Sequence, residues 1–87
     1  MSQPVIVMYV TGWCPYCQRV RGLLTQKGLE FTEIDVEDAG KLREEMIARS
    51  GRRTVPQIFI GDKHVGGCDD LFALDRSGEL DRLIQGV

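Results

Sequence analysis

The 87-residue chain has little of most features that would assign it to a specialised class of protein. It has three cysteines and one histidine, and its 11 Lys and Arg nearly balance its 13 Asp and Glu, for a formal charge of −2. So few cysteines, odd in number, exclude the disulfide framework of a small secreted domain. Without a basic tail or a stripe of Lys and Arg, the chain lacks the clustered charge that binds a phosphate backbone. We therefore expect no nucleic-acid partner.

Long apolar segments are also missing. The longest apolar run, residues 5–10, is far shorter than the about 20 residues needed to cross a bilayer. Residues 1–4 lack the basic start and apolar stretch of a signal peptide. We therefore expect a cytosolic protein with reduced thiols and no membrane association.

Length and composition predict one small globular domain. The chain is 43% hydrophobic and 28% charged, which is typical of a folded protein and not of a disordered one. A domain of this size buries only about 60 to 65% of the surface of its unfolded chain. We therefore treat residues 1–87 as a single domain, expect a monomer, and expect any active site to be a shallow surface cleft.

Hydrophobic periodicity divides the chain into strands and helices. A continuous apolar run predicts a central strand, and an alternating one predicts a parallel strand near the sheet edge. Apolar residues at three- and four-residue spacing predict helices that end at glycines. In the second helix, Leu42, Met46 and Ile47 share the face that should cover the sheet. The predicted strands are 5–10, 31–36, 57–60 and 63–65, and the predicted helices are 15–27, 39–50 and 69–75, with a short tail helix at 80–84. This order predicts an α/β sandwich.

The segment Cys14-Pro15-Tyr16-Cys17 carries most of the chemical signal. Cys14 lies at the start of the first helix, where unpaired N–H groups and the positive end of the helix dipole favour a thiolate. Cys17 lies one turn further on, inside the helix, where its thiol is better shielded. Pro15 fixes the backbone of the first turn, which lets the two sulfurs approach bonding distance. The two thiols are therefore predicted to have different roles.

Other interpretations of the chemically active residues stay open. The cysteine pair can be structural, or half of a metal site, but a closed zinc site needs two further ligands and only Cys68 and His64 remain. We therefore expect no metal. Cys68 is interpreted as a small buried residue and His64 as a surface residue of a strand. The acidic pairs at 44–45 and 69–70 are interpreted as a solvated face and a helix cap.

Three short motifs lie in register along the chain. They are Cys14-Pro15-Tyr16-Cys17 after a strand, Thr54-Val55-Pro56 before the hairpin, and Gly66-Gly67-Cys68-Asp69-Asp70 before the third helix. Together they resemble a dithiol glutaredoxin of the short bacterial type, over nearly the whole chain. The resemblance implies a thioredoxin fold, a four-stranded mixed sheet flanked by helices in the order β-α-β-α-β-β-α. It also implies that Cys14 is the catalytic nucleophile, Cys17 the resolving thiol and Pro56 a cis proline facing them.

The resemblance further implies a groove for glutathione. A site for this tripeptide needs a strand-like backbone edge, donors for two carboxylates and an acid for the amine. Val55 beside a proline offers the edge, and the N–H groups of Cys68 and Asp69 can hold one carboxylate. The Asp69 side chain can accept from the ammonium, with helix capping as its alternative role. The implied groove residues are Tyr16, Thr54, Val55, Pro56, Gly67, Cys68 and Asp69.

Four further residues bear on this site. Arg52 and Arg53 are candidates for pairing with the second carboxylate, and solvated surface charge is the alternative for each. Glutaredoxins often carry a Lys three residues before the nucleophile, where this chain has Thr11. Trp13 is similar to the residue that thioredoxin has before its nucleophile, and either contacts partners or forms an aromatic wall.

The implied function is glutathione-dependent thiol–disulfide exchange, with glutathione and glutathionylated or disulfide-containing proteins as partners. The Cys14 thiolate takes the glutathionyl group, which a second glutathione or Cys17 then discharges. One alternative is a thioredoxin-like electron donor that a flavoprotein reduces. Another is a carrier of a [2Fe–2S] cluster held between two chains by Cys14 and glutathione, against which Pro15 counts because it restricts the loop.

Overall fold

The elements of the structure, a computed structural model that describes residues 3–37 and 40–85, follow the predicted order. Most predicted bounds are met within two residues, and residue 39, the predicted start of the second helix, lies outside the described residues. The bounds are β1 Ile6–Val10, α1 Pro15–Gln26, β2 Thr32–Asp35, α2 Gly40–Ser50, β3 Gln57–Ile60, β4 Lys63–Gly66, α3 Cys68–Ser77 and α4 Glu79–Gln85. The short tail helix predicted at 80–84 is therefore confirmed as α4.

The four strands form one mixed sheet in the order β2-β1-β3-β4. β1 pairs in parallel with β2 and antiparallel with β3, and β3 pairs antiparallel with β4. The central place of β1 and the edge place of β2 are those that their hydrophobic patterns predicted. The arrangement confirms the thioredoxin fold implied by the resemblance.

β1 supplies core residues to both faces of the sheet, because successive side chains of a strand point to opposite sides. Ile6, Met8 and Val10 pack on the face covered by α1, α3 and α4, whereas Tyr9 packs on the face covered by α2. Leu42 of α2 was predicted to share this second buried face, and that prediction is wrong. The packing of α2 centres on Met46, which is buried, and Leu42 is exposed.

The register of the sheet brings the three motifs to one end of it. Tyr9 pairs with Gln57, so the end of β1 lies beside the start of β3. Ile58 pairs with Gly66, so the end of β4 lies at the same place. The segments that follow β1, precede β3 and follow β4 therefore meet, although Cys14 and Val55 are 41 positions apart in the sequence.

Two glycines allow β4 to turn into α3 close to the second motif. Gly66 has φ +122°, and a Cβ there would collide with the Asp70 side chain, reaching 2.7 Å from its Cγ. A Cβ on Gly67 would come within 3.4 Å of the Pro56 carbonyl oxygen. Only glycine fits the first of these positions without displacing its neighbours.

Replacing Gly66 by Ala should therefore destabilise the fold. Ala at a left-handed φ, in collision with Asp70, should lower the free energy of unfolding by about 2 kcal/mol or more. Gly22→Ala is the matched control, because Gly22 lies exposed inside α1 with nothing within 4 Å of the added Cβ. It should raise the free energy of unfolding by about 0.5 to 1 kcal/mol. Urea unfolding measures both, and equal stability of the Gly66 variant and the wild type would contradict the steric account.

Candidate functional site

Cys14 is the N-cap residue of α1, as predicted. Its backbone is extended, with φ −154° and ψ 112°, and its Sγ accepts the N–H of Cys17 at 3.3 Å. Pro15 occupies the first helical position, where a missing N–H costs nothing. The sulfur therefore lies against the unpaired donors and the positive end of the helix dipole, which stabilise a thiolate.

Cys17 lies deeper than Cys14, which confirms its predicted shielding inside the helix. Its side chain is 0% exposed, and this burial is the main reason why its pKa is raised to about 12. The hydrogen bond with Cys14 raises the pKa further, and the backbone of Thr11 opposes the change. At neutral pH Cys17 is therefore a protonated thiol one helical turn from Cys14.

The second motif faces Cys14 from the other side. The Val55 carbonyl oxygen lies 4.0 Å from the Cys14 sulfur, and the peptide bond between Val55 and Pro56 is cis, as the resemblance implied. The Cys14 sulfur is thus held between a helix end and the backbone edge of residues 54–56.

A surface cleft of about 290 Å³ opens beside this edge. The lining residues are Tyr16, Arg52, Thr54, Val55, Pro56, Gly67, Cys68, Asp69 and Asp70. The structure therefore brings together all seven residues of the implied groove. Of the two candidate arginines, Arg52 lines the cleft, whereas Arg53 is exposed and does not.

One member of the acidic pair on α3 has the predicted capping role, and that member is Asp70. Gly67 is the N-cap residue of α3, so Asp69 is not the cap. It is Asp70 whose Oδ2 accepts the Gly67 N–H at 2.9 Å and an Arg52 N–H at 2.9 Å. The backbone bond first and Arg52 second hold the pKa of Asp70 below its usual range. The Asp70 carboxylate is therefore already bonded. Asp69, which also lines the cleft, is exposed.

Two polar side chains bond to buried polar groups on the α2 side of the sheet. Glu45 is exposed, as predicted, whereas His64, predicted to be a surface residue, is half-buried. Glu45 accepts the Tyr9 hydroxyl at 2.6 Å, and His64 Nε2 lies 2.7 Å from Gln57 Oε1. A buried hydroxyl or amide requires a partner, and these residues supply it. Sequence reasoning missed Gln57, although a lone polar residue in an apolar strand directly after Pro56 was a usable signal.

Two exposed aromatic residues lie next to the cysteines in the sequence. Trp13 is 74% exposed and Tyr16 is 55% exposed. Trp13 does not line the cleft, so it is not an aromatic wall of it. Contact with partners stays a prediction for this residue.

Within residues 3–37 and 40–85, no helix is long and apolar enough to cross a membrane. The same ranges contain no group of three or more His, Cys, Asp and Glu residues arranged to hold a metal ion.

The burial of Cys17 predicts how its thiol titrates. In a Cys14→Ser, Cys68→Ser variant, Cys17 is the remaining thiol, and burial, the main cause of its high pKa, is retained. Thiolate absorbance should therefore appear well above pH 9, approaching the value of about 12. A transition near the about 8.5 of a free cysteine would contradict the burial of this thiol.

Comparisons with known proteins agree with this geometry. The Glutaredoxin family model matches residues 6–65. A glutaredoxin of Pseudomonas aeruginosa is 53% identical over 81 residues, which cover 93% of this chain and 96% of that protein. The solution structure of a glutaredoxin from Brucella melitensis has a TM-score of 0.84 at 54% identity, covering 97% of this chain and 91% of the other. A buckwheat glutaredoxin–glutathione complex has a TM-score of 0.86 at 32% identity, covering 97% of this chain and 78% of the other. The chain therefore belongs to the glutaredoxin family and is a thiol–disulfide oxidoreductase.

Proposed function

We propose that this protein uses glutathione to reduce protein–glutathione mixed disulfides and protein disulfides, with Cys14 as nucleophile and Cys17 as resolving thiol. The observation that carries the proposal is the position of the Cys14 sulfur. It lies at the N-terminus of α1 and 4.0 Å from the Val55 carbonyl oxygen, beside a cleft of about 290 Å³. A disulfide entering the cleft can therefore present its sulfur to the thiolate.

The cleft offers the groups that glutathione requires. The backbone of Val55 provides a strand-like edge for the peptide, and the first N–H groups of α3, from Cys68 and Asp69, can hold one carboxylate. The free Asp69 carboxylate can accept from the ammonium, and Arg52 can donate to the second carboxylate. The buckwheat relative forms a complex with glutathione, which supports the same ligand for this cleft.

Removal of a glutathionyl group needs only the first thiol. The Cys14 thiolate attacks the glutathione sulfur of the mixed disulfide, a Cys14–glutathione disulfide forms, and the substrate cysteine leaves as thiolate. A second glutathione thiolate then attacks the same glutathione sulfur. Cys14 is released as thiolate and glutathione disulfide is the oxidised product. Cys17 keeps its proton throughout, as its high pKa favours.

Reduction of a protein's own disulfide uses both thiols. The Cys14 thiolate forms a disulfide with one substrate sulfur, and the other leaves as thiolate. Cys17 lies one helical turn away and attacks the Cys14 sulfur at high effective concentration, losing its proton as the second substrate thiolate leaves. Two glutathione molecules then reduce the Cys14–Cys17 disulfide and become glutathione disulfide.

The buried second thiol favours exchange over the cluster carrier, and the groups of the cleft favour glutathione over a flavoprotein reductant. Cys17 takes part in resolving a protein disulfide, but has no part in a [2Fe–2S] cluster held by Cys14 and glutathione. The groups of the cleft match a tripeptide with charged ends, which a flavoprotein reductant would not need. Because the cycle consumes reduced glutathione and needs free thiols, we place it in the reducing cytosol.

Variants of the two thiols should separate the two activities. Cys14→Ser should abolish turnover of both a glutathionylated peptide and a protein disulfide, because no other thiol occupies the helix end. Cys17→Ser should keep turnover of the peptide within about twofold of the wild type and lose at least about tenfold on the protein disulfide. Steady-state rates with glutathione as reductant measure both.

Each variant has its own check that it is folded. Activity of Cys17→Ser on the peptide shows that this protein is folded, and urea unfolding checks Cys14→Ser. A Cys14→Ser protein that still turns over the peptide would contradict the assignment of the nucleophile. A Cys17→Ser protein that is inactive on the peptide would contradict the one-thiol route.

A further inference from the structure

Gln57 is a fully buried polar residue that the proposed mechanism does not use. It is the first residue of β3, directly after Pro56, and its side chain is 0% exposed. Burying an amide costs free energy unless its donors and acceptor are all bonded. Such a residue needs a reason for its place in a strand whose other members are Ile58, Phe59 and Ile60.

The amide of Gln57 joins two segments of the protein. Its Nε2 donates to the Thr54 carbonyl oxygen at 3.0 Å and lies 3.1 Å from the Thr54 hydroxyl oxygen. Its Oε1 lies 2.7 Å from His64 Nε2. A carbonyl oxygen can only accept, so the amino end of the amide must face Thr54 and the oxygen must face His64. His64 Nε2 must therefore carry a hydrogen and donate it.

His64 is fixed from a second direction as well. Its ring stacks on Phe59 at 4.9 Å between centroids. Burial, and then the charge of Arg52, lower the pKa of His64, with Asp70 opposing. The imidazole is therefore neutral at pH 7 and keeps its single hydrogen on the nitrogen that faces Gln57.

The hydrogen bonds that run from His64 through Gln57 to Thr54 end at the candidate active site. Thr54 begins the 54–56 segment, all three residues of which line the cleft. The next residue, Val55, places its carbonyl oxygen 4.0 Å from the Cys14 sulfur. The position of this backbone edge thus depends on Thr54, which is held by Gln57 from inside the sheet.

We infer that Gln57 and His64 are positioning residues, which hold residues 54–56 so that the Val55 edge faces both the Cys14 sulfur and the peptide bound in the cleft. For the bound peptide, the inference rests on the proposed use of glutathione. Without the bonds to Thr54, the edge is free to shift away from Cys14. The cleft then binds its ligand less tightly, and the Cys14 sulfur becomes more accessible.

Tyr9 provides the control for a purely structural effect. It is buried on the same face of the sheet, and its hydroxyl bonds to Glu45 at 2.6 Å and to Arg49 at 2.8 Å, both on α2. Its hydroxyl has no hydrogen bond to residues 54–56. Tyr9→Phe therefore removes buried hydrogen bonds comparable to those of Gln57 without touching the cleft.

The test compares Gln57→Leu, His64→Phe and Tyr9→Phe by two kinds of measurement. With a glutathionylated peptide as substrate, the Gln57 and His64 variants should raise KM by at least about fivefold and change kcat by less than about twofold, the pattern of lost binding without lost chemistry. Alkylation of Cys14 by iodoacetamide, located by peptide mapping, should be at least about threefold faster in both, because the sulfur is less covered. Tyr9→Phe should leave KM and the alkylation rate within about twofold of the wild type while lowering the urea midpoint.

The outcomes separate this inference from the proposed function. If the Gln57 and His64 variants lose stability but keep the wild-type KM and alkylation rate, as Tyr9→Phe is expected to, their role is structural only and the inference is wrong. If the wild type fails to turn over the glutathionylated peptide, the proposed function fails, and the alkylation rates alone decide the positioning of the edge. If Gln57→Leu does not fold, His64→Phe decides, since His64 is only half-buried.

Discussion

The antiparallel pairing of β1 with β3 is the contact on which the site depends. It sets Tyr9 opposite Gln57 and so places the Cys14 end of α1 beside residues 54–56. A slip of one residue would turn the side chains of one strand to the wrong face. Both faces of β1 are buried, against α1, α3 and α4 on one side and α2 on the other. Such a slip would therefore remove apolar residues from two core clusters, so the core holds the register that brings Cys14 beside residues 54–56.

The two cysteines differ because the helix places them in different surroundings. Cys14 lies at the cap, where helix N–H groups can stabilise its anion, and Cys17 lies one turn inside, where burial raises its pKa to about 12. Three residues of sequence thus separate the proposed nucleophile from a thiol that is protonated at neutral pH. The two acids of the opposing wall also differ. Both line the cleft, but the Asp70 carboxylate is bonded to Gly67 and Arg52.

Much of this was predictable because the governing forces are local. The apolar run of β1, the proline after Cys14 and the glycines that end the helices each act over a few residues, and each prediction is confirmed. The helix cap predicted for the acidic pair 69–70 is supplied by Asp70, an acid three residues after the N-cap residue. The alternative capping role of Asp69 is not met, because α3 begins one residue earlier than its apolar pattern indicated.

Contacts between distant segments were not predicted. The exposed Glu45 binds a tyrosine 36 residues away, and His64 binds an amide across the hairpin. No local pattern predicts either contact. Leu42 is exposed because the contact of α2 with the sheet is limited to the turn around Met46. The apolar spacing of a helix does not indicate how much of its length packs on the sheet.

The central claim is that the Cys14 thiolate reacts with a disulfide recognised by the charged ends of glutathione. The most direct measurement is the rate at which Cys17→Ser forms a mixed disulfide with glutathione disulfide, compared with its ester, in which the carboxylates are masked and the sulfurs are the same. We expect one adduct, on Cys14. It should form at least about tenfold faster from glutathione disulfide than from its ester, the difference that the loss of one good carboxylate contact would give. Equal rates for the two disulfides, or an adduct on Cys68 instead, would contradict it.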